Sequence, residues 1–243
     1  TQTTADDNTA VGYYAGGTLT SSANTLIGYY AGVNVTSGGS NTIVGHQAGD
    51  AITTGEQNVI MGKGSAGALT TSSYNVIFGT NAGDALTTGN SHTVFGHGAL
   101  SAATTVSNLT AIGFQALAAN TTGTENTAVG YQALLANTTG AQNVAIGPDA
   151  LKANTTASYN VAIGRDAMQA CTTGSNNVAV GSNALDAITD GASNVAIGDF
   201  ALSAATGSNA TAVGYRALLS NTTGVRNTAV GAEALENNTT GDY

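Results

Sequence analysis

Histidine is the residue type in this chain best suited to bind a metal ion or move a proton, and it occurs at His46, His92 and His97. His46 and His97 each follow a glycine at the same place in a repeated sequence unit, three units apart along the chain. Repeats stacked as strands lie about 4.8 Å apart, so these two imidazoles would be roughly 14 Å apart, too far to share a metal ion. We therefore expect surface histidines and no metal site.

Carboxylates are the other candidate acid–base groups, and four of them share one position of the repeated unit. Paired carboxylates could act as general acid and base, but other units place basic, amide or hydroxyl side chains at that position, which is typical of a variable, solvated face. No glycine-rich loop precedes a helix to hold a phosphate. The sequence therefore predicts no catalytic residue, no cofactor and no enzyme. The four carboxylates are Asp50, Asp84, Asp186 and Glu236, and the other side chains are Lys152, Gln169 and Ser203.

Aromatic side chains are the candidate ligand contacts. Several follow a glycine of the repeated unit, where their rings could stack on the sugar rings of a glycan, and shielding of the edge of the unit is the alternative. They are Tyr13, Tyr29, Tyr131 and Tyr215, with Phe114 at the same position. Asn-x-Thr motifs also fit N-glycosylation formally, although turns and side-chain ladders explain most of them without it. These motifs begin at Asn34, Asn108, Asn120, Asn137, Asn154, Asn209, Asn221 and Asn238.

Composition restricts the class of protein. Of 243 residues, 8% are charged, 33 are glycine and one is proline, which is unlike an ordinary enzyme domain. A net charge of −9 with five basic residues disfavours nucleic acid and acidic membrane surfaces as partners. No apolar run reaches the length of a membrane-spanning helix, so we expect no membrane insertion. Cys171 is the single cysteine, and we expect a buried free thiol there.

One phrase of the type Asn-Thr-Ala-Val-Gly recurs through the whole chain. Aligned on its final glycine, it marks fourteen repeats, with two steps of 16 residues and all others of 17. A constant length, a short β-branched segment and a glycine that permits a corner are typical of a solenoid. We predict an all-β, single-chain parallel β-solenoid (β-roll) of fourteen 17-residue coils, forming one domain over residues 1–243 with its repeats at 8–241. The glycines, called corner glycines below, are Gly12, Gly28, Gly45, Gly62, Gly79, Gly96, Gly113, Gly130, Gly147, Gly164, Gly181, Gly198, Gly214 and Gly231.

The interior of the coil can be identified because two positions exchange volume along the chain. In coils two to five the residue two before the corner glycine is large and the residue four after it is small, as in Leu26 with Gly32. From Ala111 onward the first is alanine and the second is large, as in Ala128 with Leu134. Close packing requires a constant total volume, so we place both positions inside. We also expect ladders of the threonines that lie eight residues after each corner glycine and of the asparagines that open eleven strands.

The residue immediately before each corner glycine points away from this interior, because side chains alternate along a strand, and it is never polar. A monomer would expose a larger apolar surface than soluble monomers usually show. Identical copies around a shared axis are the simplest cover, so we predict a homotrimeric fibre with this column as its oligomer interface. The column is Val11, Ile27, Val44, Met61, Phe78, Phe95, Ile112, Val129, Ile146, Ile163, Val180, Ile197, Val213 and Val230.

The units NTAVGYQALLANTTG at residues 126–140 and ATAVGYRALLSNTTG at 210–224 resemble repeats of phage tail-fibre-like proteins. The NVAIG phrases that begin at residues 143, 160 and 194 are similar to the head repeats of trimeric autotransporter adhesins. The resemblance covers residues 8–241. It implies a left-handed parallel β-roll, three chains around one axis, and exposed side chains that attach to a host or matrix. No active site comes with it.

We therefore expect a structural fibre or adhesin shaft, part of a longer extracellular fibre on a virion or cell surface, that presents or forms an attachment region for a surface glycan or receptor. The alternative is an ice-binding solenoid that uses its threonine column. A polysaccharide-cleaving β-helix is a third class, but the clustered acidic and basic residues that such chemistry needs are missing from the sequence.

Overall fold

The structure is a computed structural model that describes residues 5–242. Each of the fourteen repeats contributes one three-residue β-strand, and no helix occurs within the described range. The chain divides into two compact units, Thr1–Thr124 and Glu125–Tyr243, and within each unit the strands are parallel and neighbours in chain order. The predicted parallel β-solenoid is thus confirmed. The single domain over residues 1–243 and the homotrimer stay predictions.

Unit 1 places the same repeat position of successive coils side by side, so that Thr25 pairs with Thr42 and Ile43 with Ile60. Its strands are β1 (Thr9–Val11), β2 (Thr25–Ile27), β3 (Thr42–Val44), β4 (Val59–Met61), β5 (Val76–Phe78), β6 (Thr93–Phe95) and β7 (Thr110–Ile112).

Unit 2 has the same register, and Val161 pairs with Val178. Its strands are β8 (Thr127–Val129), β9 (Val144–Ile146), β10 (Val161–Ile163), β11 (Val178–Val180), β12 (Val195–Ile197), β13 (Thr211–Val213) and β14 (Thr228–Val230).

The strands are short because a corner glycine follows each of them. Its φ lies between +129° and +144°, a region that side-chain-bearing residues rarely adopt. A Cβ at Gly28 would also collide with the carbonyl oxygen of Gly45 in the next coil. The glycine therefore ends the strand and lets the coils stack closely.

The segment after the corner glycine is a turn and not a helix, as expected for a stretch as short as YQALLA at residues 131–136. The second and fourth residues after the glycine have left-handed backbones, with φ of +52° at Gln132 and +53° at Leu134. Gly32 occupies the fourth position in unit 1, also with φ of +53°. A left-handed conformation costs a residue with a side chain about 1–2 kcal/mol. Packing must therefore outweigh that cost at Leu134.

The packing of the interior confirms the predicted exchange of volume. Leu26 and Leu134 are fully buried. A Cβ at Gly32 would lie 2.9 Å from Cδ2 of Leu26 and 3.2 Å from Cδ1 of Ile43. The large strand residues of the early coils thus occupy the space next to the fourth position, which leucine fills in the later coils.

The predicted asparagine ladder is also confirmed. Asn41 is fully buried, its Nδ2 donates to the carbonyl oxygen of Gly55 at 2.9 Å, and its Oδ1 accepts the backbone N–H of Asn58 at 3.0 Å. A second buried ladder, which sequence reasoning missed, lies seven residues after the corner glycine. There, Nδ2 of Asn154 donates to Oδ1 of Asn137 at 2.7 Å. Within each unit, these side-chain bonds join neighbouring coils in addition to the backbone bonds.

Candidate interaction surface

The outer strand face consists of the first and third residues of the strands within each unit. The middle residue of each strand from β2 to β14 is buried, so its two neighbours point outward. In unit 1 the third residue is 38% exposed at Ile27 and 39% exposed at Phe95. In unit 2 it is 39% exposed at Ile146 and 40% exposed at Ile197. The predicted column is thus solvent-facing in the single chain, and its role as an oligomer interface stays a prediction.

The outer strand face is uncharged as well as apolar. None of the five basic and fourteen acidic residues of the chain lies at the first or third position of a strand. The first position is threonine or valine throughout. Two rings on this face, those of Phe78 and Phe95, stack with their centroids 4.8 Å apart. Charge-free apolar patches of this kind are typical of the cores of protein interfaces.

Aromatic side chains stack along the axis at the position after the corner glycine. The ring of Tyr29 lies between Tyr13 and His46, with centroid distances of 5.4 Å and 4.9 Å and nearly parallel planes. One position further on, Tyr14 and Tyr30 stack at 5.6 Å. Both faces of the Tyr29 ring are therefore covered by neighbouring rings, and only its edge points to solvent.

The other candidate glycan contacts are exposed but lie in different surroundings. The Tyr215 ring has the guanidinium carbon of Arg216 at 5.3 Å from its centroid. Phe114 stacks on His97 at 5.6 Å. Tyr131 is 50% exposed. A glycan contact at Tyr13, Tyr29, Tyr131 or Tyr215 stays a prediction.

His92 corrects one expectation, because it is buried and not at the surface. It replaces an asparagine of the first ladder and makes the same kinds of bond. Its Nε2 donates to the carbonyl oxygen of Val106 at 2.9 Å, and its Nδ1 accepts the backbone N–H of Leu109 at 3.3 Å. Burial lowers the pKa of His92 to about 4. The ring is thus a neutral structural substitute for an asparagine amide.

The two acidic side chains Asp50 and Asp84 are only partly solvated, in contrast to the expected open face. Burial raises the pKa of both carboxyls above the usual value, and backbone N–H groups partly oppose the shift. Oδ1 of Asp84 is buried without a hydrogen bond. Asp186 and Ser203 occupy the same repeat position, five residues after the corner glycine, in two later coils. There Ser203 donates its hydroxyl to Oδ1 of Asp186 at 2.6 Å.

Cys171 is a buried free thiol, as predicted. It stands in the second ladder, and its Sγ donates to the carbonyl oxygen of Gly174 at 3.3 Å, much as the Asn137 amide bonds to Gly140. Burial raises the pKa of the thiol to about 11. The group therefore stays protonated and is unsuited to nucleophilic chemistry.

Neither a metal-binding group nor a concave site is seen in the described part of the chain. Residues 5–242 contain no cluster of three His, Cys, Asp or Glu side chains that could hold an ion, and no pocket opens on their surface. Across the same residues, no helix has the length and apolar character needed to cross a membrane.

Comparison of the chain with protein families, with curated proteins and with solved structures finds no match.

Proposed function

We propose that this chain is a structural shaft of an extracellular fibre or adhesin that associates with identical copies, as a homotrimer, through its outer strand face. The observation that carries the proposal is the continuous run of uncharged, mostly β-branched side chains that each unit leaves exposed or half-buried. Because the chain carries a net charge of −9, identical copies repel one another, and a charge-free contact surface avoids close pairs of like charges. The outer strand face provides such a surface in both units.

The oligomeric state of the intact chain tests this proposal. We expect the chain to sediment as a trimer at micromolar concentration in analytical ultracentrifugation. The double variant Ile146→Glu, Ile163→Glu places two charges on the neighbouring strands β9 and β10 of the unit 2 face and should sediment as a monomer with an unchanged circular dichroism spectrum. A matched control, Thr139→Glu with Thr156→Glu, puts the same charges on exposed residues outside the face and should remain a trimer. A wild-type monomer at high concentration would contradict the proposal.

The hydrogen bonds of the threonine column support the ice-binding alternative less well than the structural role. In unit 1, Oγ1 of Thr36 donates to the carbonyl oxygen of Thr53 at 3.0 Å, and in unit 2 Oγ1 of Thr155 donates to that of Thr172 at 3.2 Å. These hydroxyl protons are already bound to the next coil, which explains the column as a stabilising ladder. A thermal hysteresis measurement on the purified chain decides the point, because activity at micromolar concentration would restore this alternative.

The attachment region for a surface glycan or receptor remains part of the proposal. Tyr131 is 50% exposed and can be replaced without disturbing the stack of Tyr13 and Tyr29, so the glycan contact is tested at Tyr131. Binding to a glycan array by wild type and by Tyr131→Ala tests this, and unchanged binding would remove Tyr131 as a contact.

A further inference from the structure

The Asn-x-Thr motifs of the chain fall at three positions of the repeated unit. Five of the motifs begin seven residues after a corner glycine, in the second asparagine ladder. Two begin five residues before a corner glycine, and two begin six residues after one. The ladder set is Asn120, Asn137, Asn154, Asn221 and Asn238, and the others are Asn108, Asn209, Asn34 and Asn237.

Four of the ladder asparagines have no exposed surface. Nδ2 of Asn120 donates to the carbonyl oxygen of Gly123, that of Asn137 to Gly140 and that of Asn221 to Gly224, each at 2.9 Å. The amides are also tightly surrounded. Even a methyl group at Gly140 would lie 2.5 Å from Oδ1 of Asn137 and 2.9 Å from Nδ2 of Asn154. No group larger than hydrogen can be added to these nitrogens inside the coil.

Asn108 and Asn209 are placed in the opposite way. Both side chains are exposed, at an outer corner where the backbone is left-handed, with φ of +61° and +62°. Asparagine tolerates that conformation better than most residues. In both coils the ladder position that follows holds an apolar residue, Leu109 or Ala210, instead of the usual asparagine. A substituent on either amide would therefore extend into solvent.

We infer that N-glycosylation is compatible with this fold at Asn108 and Asn209 and incompatible with it at Asn120, Asn137, Asn154 and Asn221. In the reaction, the side-chain nitrogen bonds to the anomeric carbon of a lipid-pyrophosphate-linked oligosaccharide, loses one proton and releases the lipid pyrophosphate. At the four buried asparagines the sugar would replace the hydrogen that is bonded to a carbonyl, or would have to occupy filled space. The chain is thus suited to folding where no such transferase reaches it before the coils close. This inference does not depend on the oligomeric state.

Secretion of the full chain from a eukaryotic cell that carries the transferase tests the inference. The secreted material is separated into protease-resistant folded protein and protease-sensitive protein, and glycan occupancy at each asparagine is measured by mass spectrometry. We expect the folded fraction to carry glycans at Asn108 and Asn209 and none at the four buried asparagines. Glycans at the buried sites should be confined to the protease-sensitive fraction.

A matched variant separates loss of folding by glycosylation from other failures of secretion. Four exposed threonines complete the buried motifs. Changing them to alanine removes the motifs and leaves every ladder asparagine in place. We expect this variant to lose the protease-sensitive fraction on secretion and to match wild type when both are made in a bacterial cytosol. A folded fraction glycosylated at Asn137 or Asn154, or one without glycan at both Asn108 and Asn209, overturns the inference. The substitutions are Thr122→Ala, Thr139→Ala, Thr156→Ala and Thr223→Ala.

Discussion

Coils two to five of unit 1 and the coils of unit 2 build the same backbone around differently filled interiors. In unit 1 the strand supplies the large side chain, as with Ile43, and the fourth position is as small as Gly49. In unit 2 the strand supplies Ala145, and the fourth position supplies Leu151. All three side-chain-bearing residues are fully buried. The coil thus fixes the total volume of its interior and leaves open which position fills it.

The two solutions differ in backbone strain. Gly49 adopts its left-handed φ of +51° freely, whereas Leu151 has the same φ of +51° and a side chain. That conformation costs about 1–2 kcal/mol, while full burial of a leucine side chain contributes about 1.5–3 kcal/mol. Burial therefore outweighs strain in unit 2. The outer strand face does not change with the filling, since its third position is apolar in both units, which indicates a separate requirement on that surface.

The largest effect is expected from emptying one interior position of unit 2. Leu151→Gly leaves a cavity and should lower the free energy of unfolding by about 2–5 kcal/mol. Ala145→Ile alone overfills the coil and should lower it by about 1–3 kcal/mol. The double variant has the filling of unit 1. Its loss of unfolding free energy should therefore be smaller than the sum of the losses of the two single variants. Urea unfolding of the four proteins measures the coupling, and additive losses would show that the two positions do not share one space.

A second difference between the units is that all three histidines lie in unit 1, and one of them is buried. The folded-state pKa of His92 is about 4 against 6.5 when unfolded, so the unfolded chain binds the extra proton first as the pH falls. Stability should therefore fall between about pH 6.5 and 4, by up to about 3 kcal/mol, and then level off. The segments packed on the ring, 72–75 and 106–109, contribute only Tyr74 as a titratable group.

His92→Asn supplies the matched control, because it restores the residue type of the ladder. Asp50 and Asp84, whose pKa values are raised, favour the folded state on acidification and oppose the histidine. The quantity to measure is thus the difference in unfolding free energy between wild type and His92→Asn at each pH. A difference that stays constant from pH 7 to about 4 would exclude His92 as the cause.

Most of the fold could be predicted because the period and the alternation of faces are visible in the sequence. The exchange of side-chain volume between two repeat positions located the interior correctly. It is seen when Leu26 with Gly32 is compared with Ala128 with Leu134. The left-handed fourth position was missed, although the glycines at that place in unit 1 were a signal for positive φ. Leucine at the same place hid the signal, because burial there overrides the backbone preference.

Polar residues of the interior were harder to predict than apolar ones. The second asparagine ladder occupies a position where Ile52 and Leu69 stand in unit 1, and this alternation of apolar residue and asparagine was the available signal. His92 was expected at the surface because histidine usually is, while its place in the first ladder indicated otherwise. Whether the outer strand face binds another copy could not be decided from one chain, since burial in a partner leaves no mark within a coil.

A smaller effect is expected where the second ladder of unit 2 is interrupted. Oδ1 of Asn154 is buried without a hydrogen bond, and the next residue in the ladder is Cys171. Cys171→Asn offers an amide donor to this oxygen and should raise the free energy of unfolding by about 1 kcal/mol. Cys171→Ala keeps the gap and should not be stabilising. Thermal unfolding of the two variants measures the difference, and equal melting temperatures would argue against the ladder as a source of stability.

The smallest effect concerns the backbone that both units share. Tyr74 in unit 1 and Tyr159 in unit 2 occupy the same corner, each with φ of +62°, and their rings are 55% and 60% exposed. Asparagine, which Asn176 places at that corner with φ of +62°, fits a left-handed backbone better. Tyr74→Asn and Tyr159→Asn should each raise the free energy of unfolding by less than about 1 kcal/mol, and by equal amounts, because strain at this corner does not depend on how the interior is filled. Urea unfolding of the two single variants compares the units, and a gain in only one of them would mean that the interior filling also alters the corner.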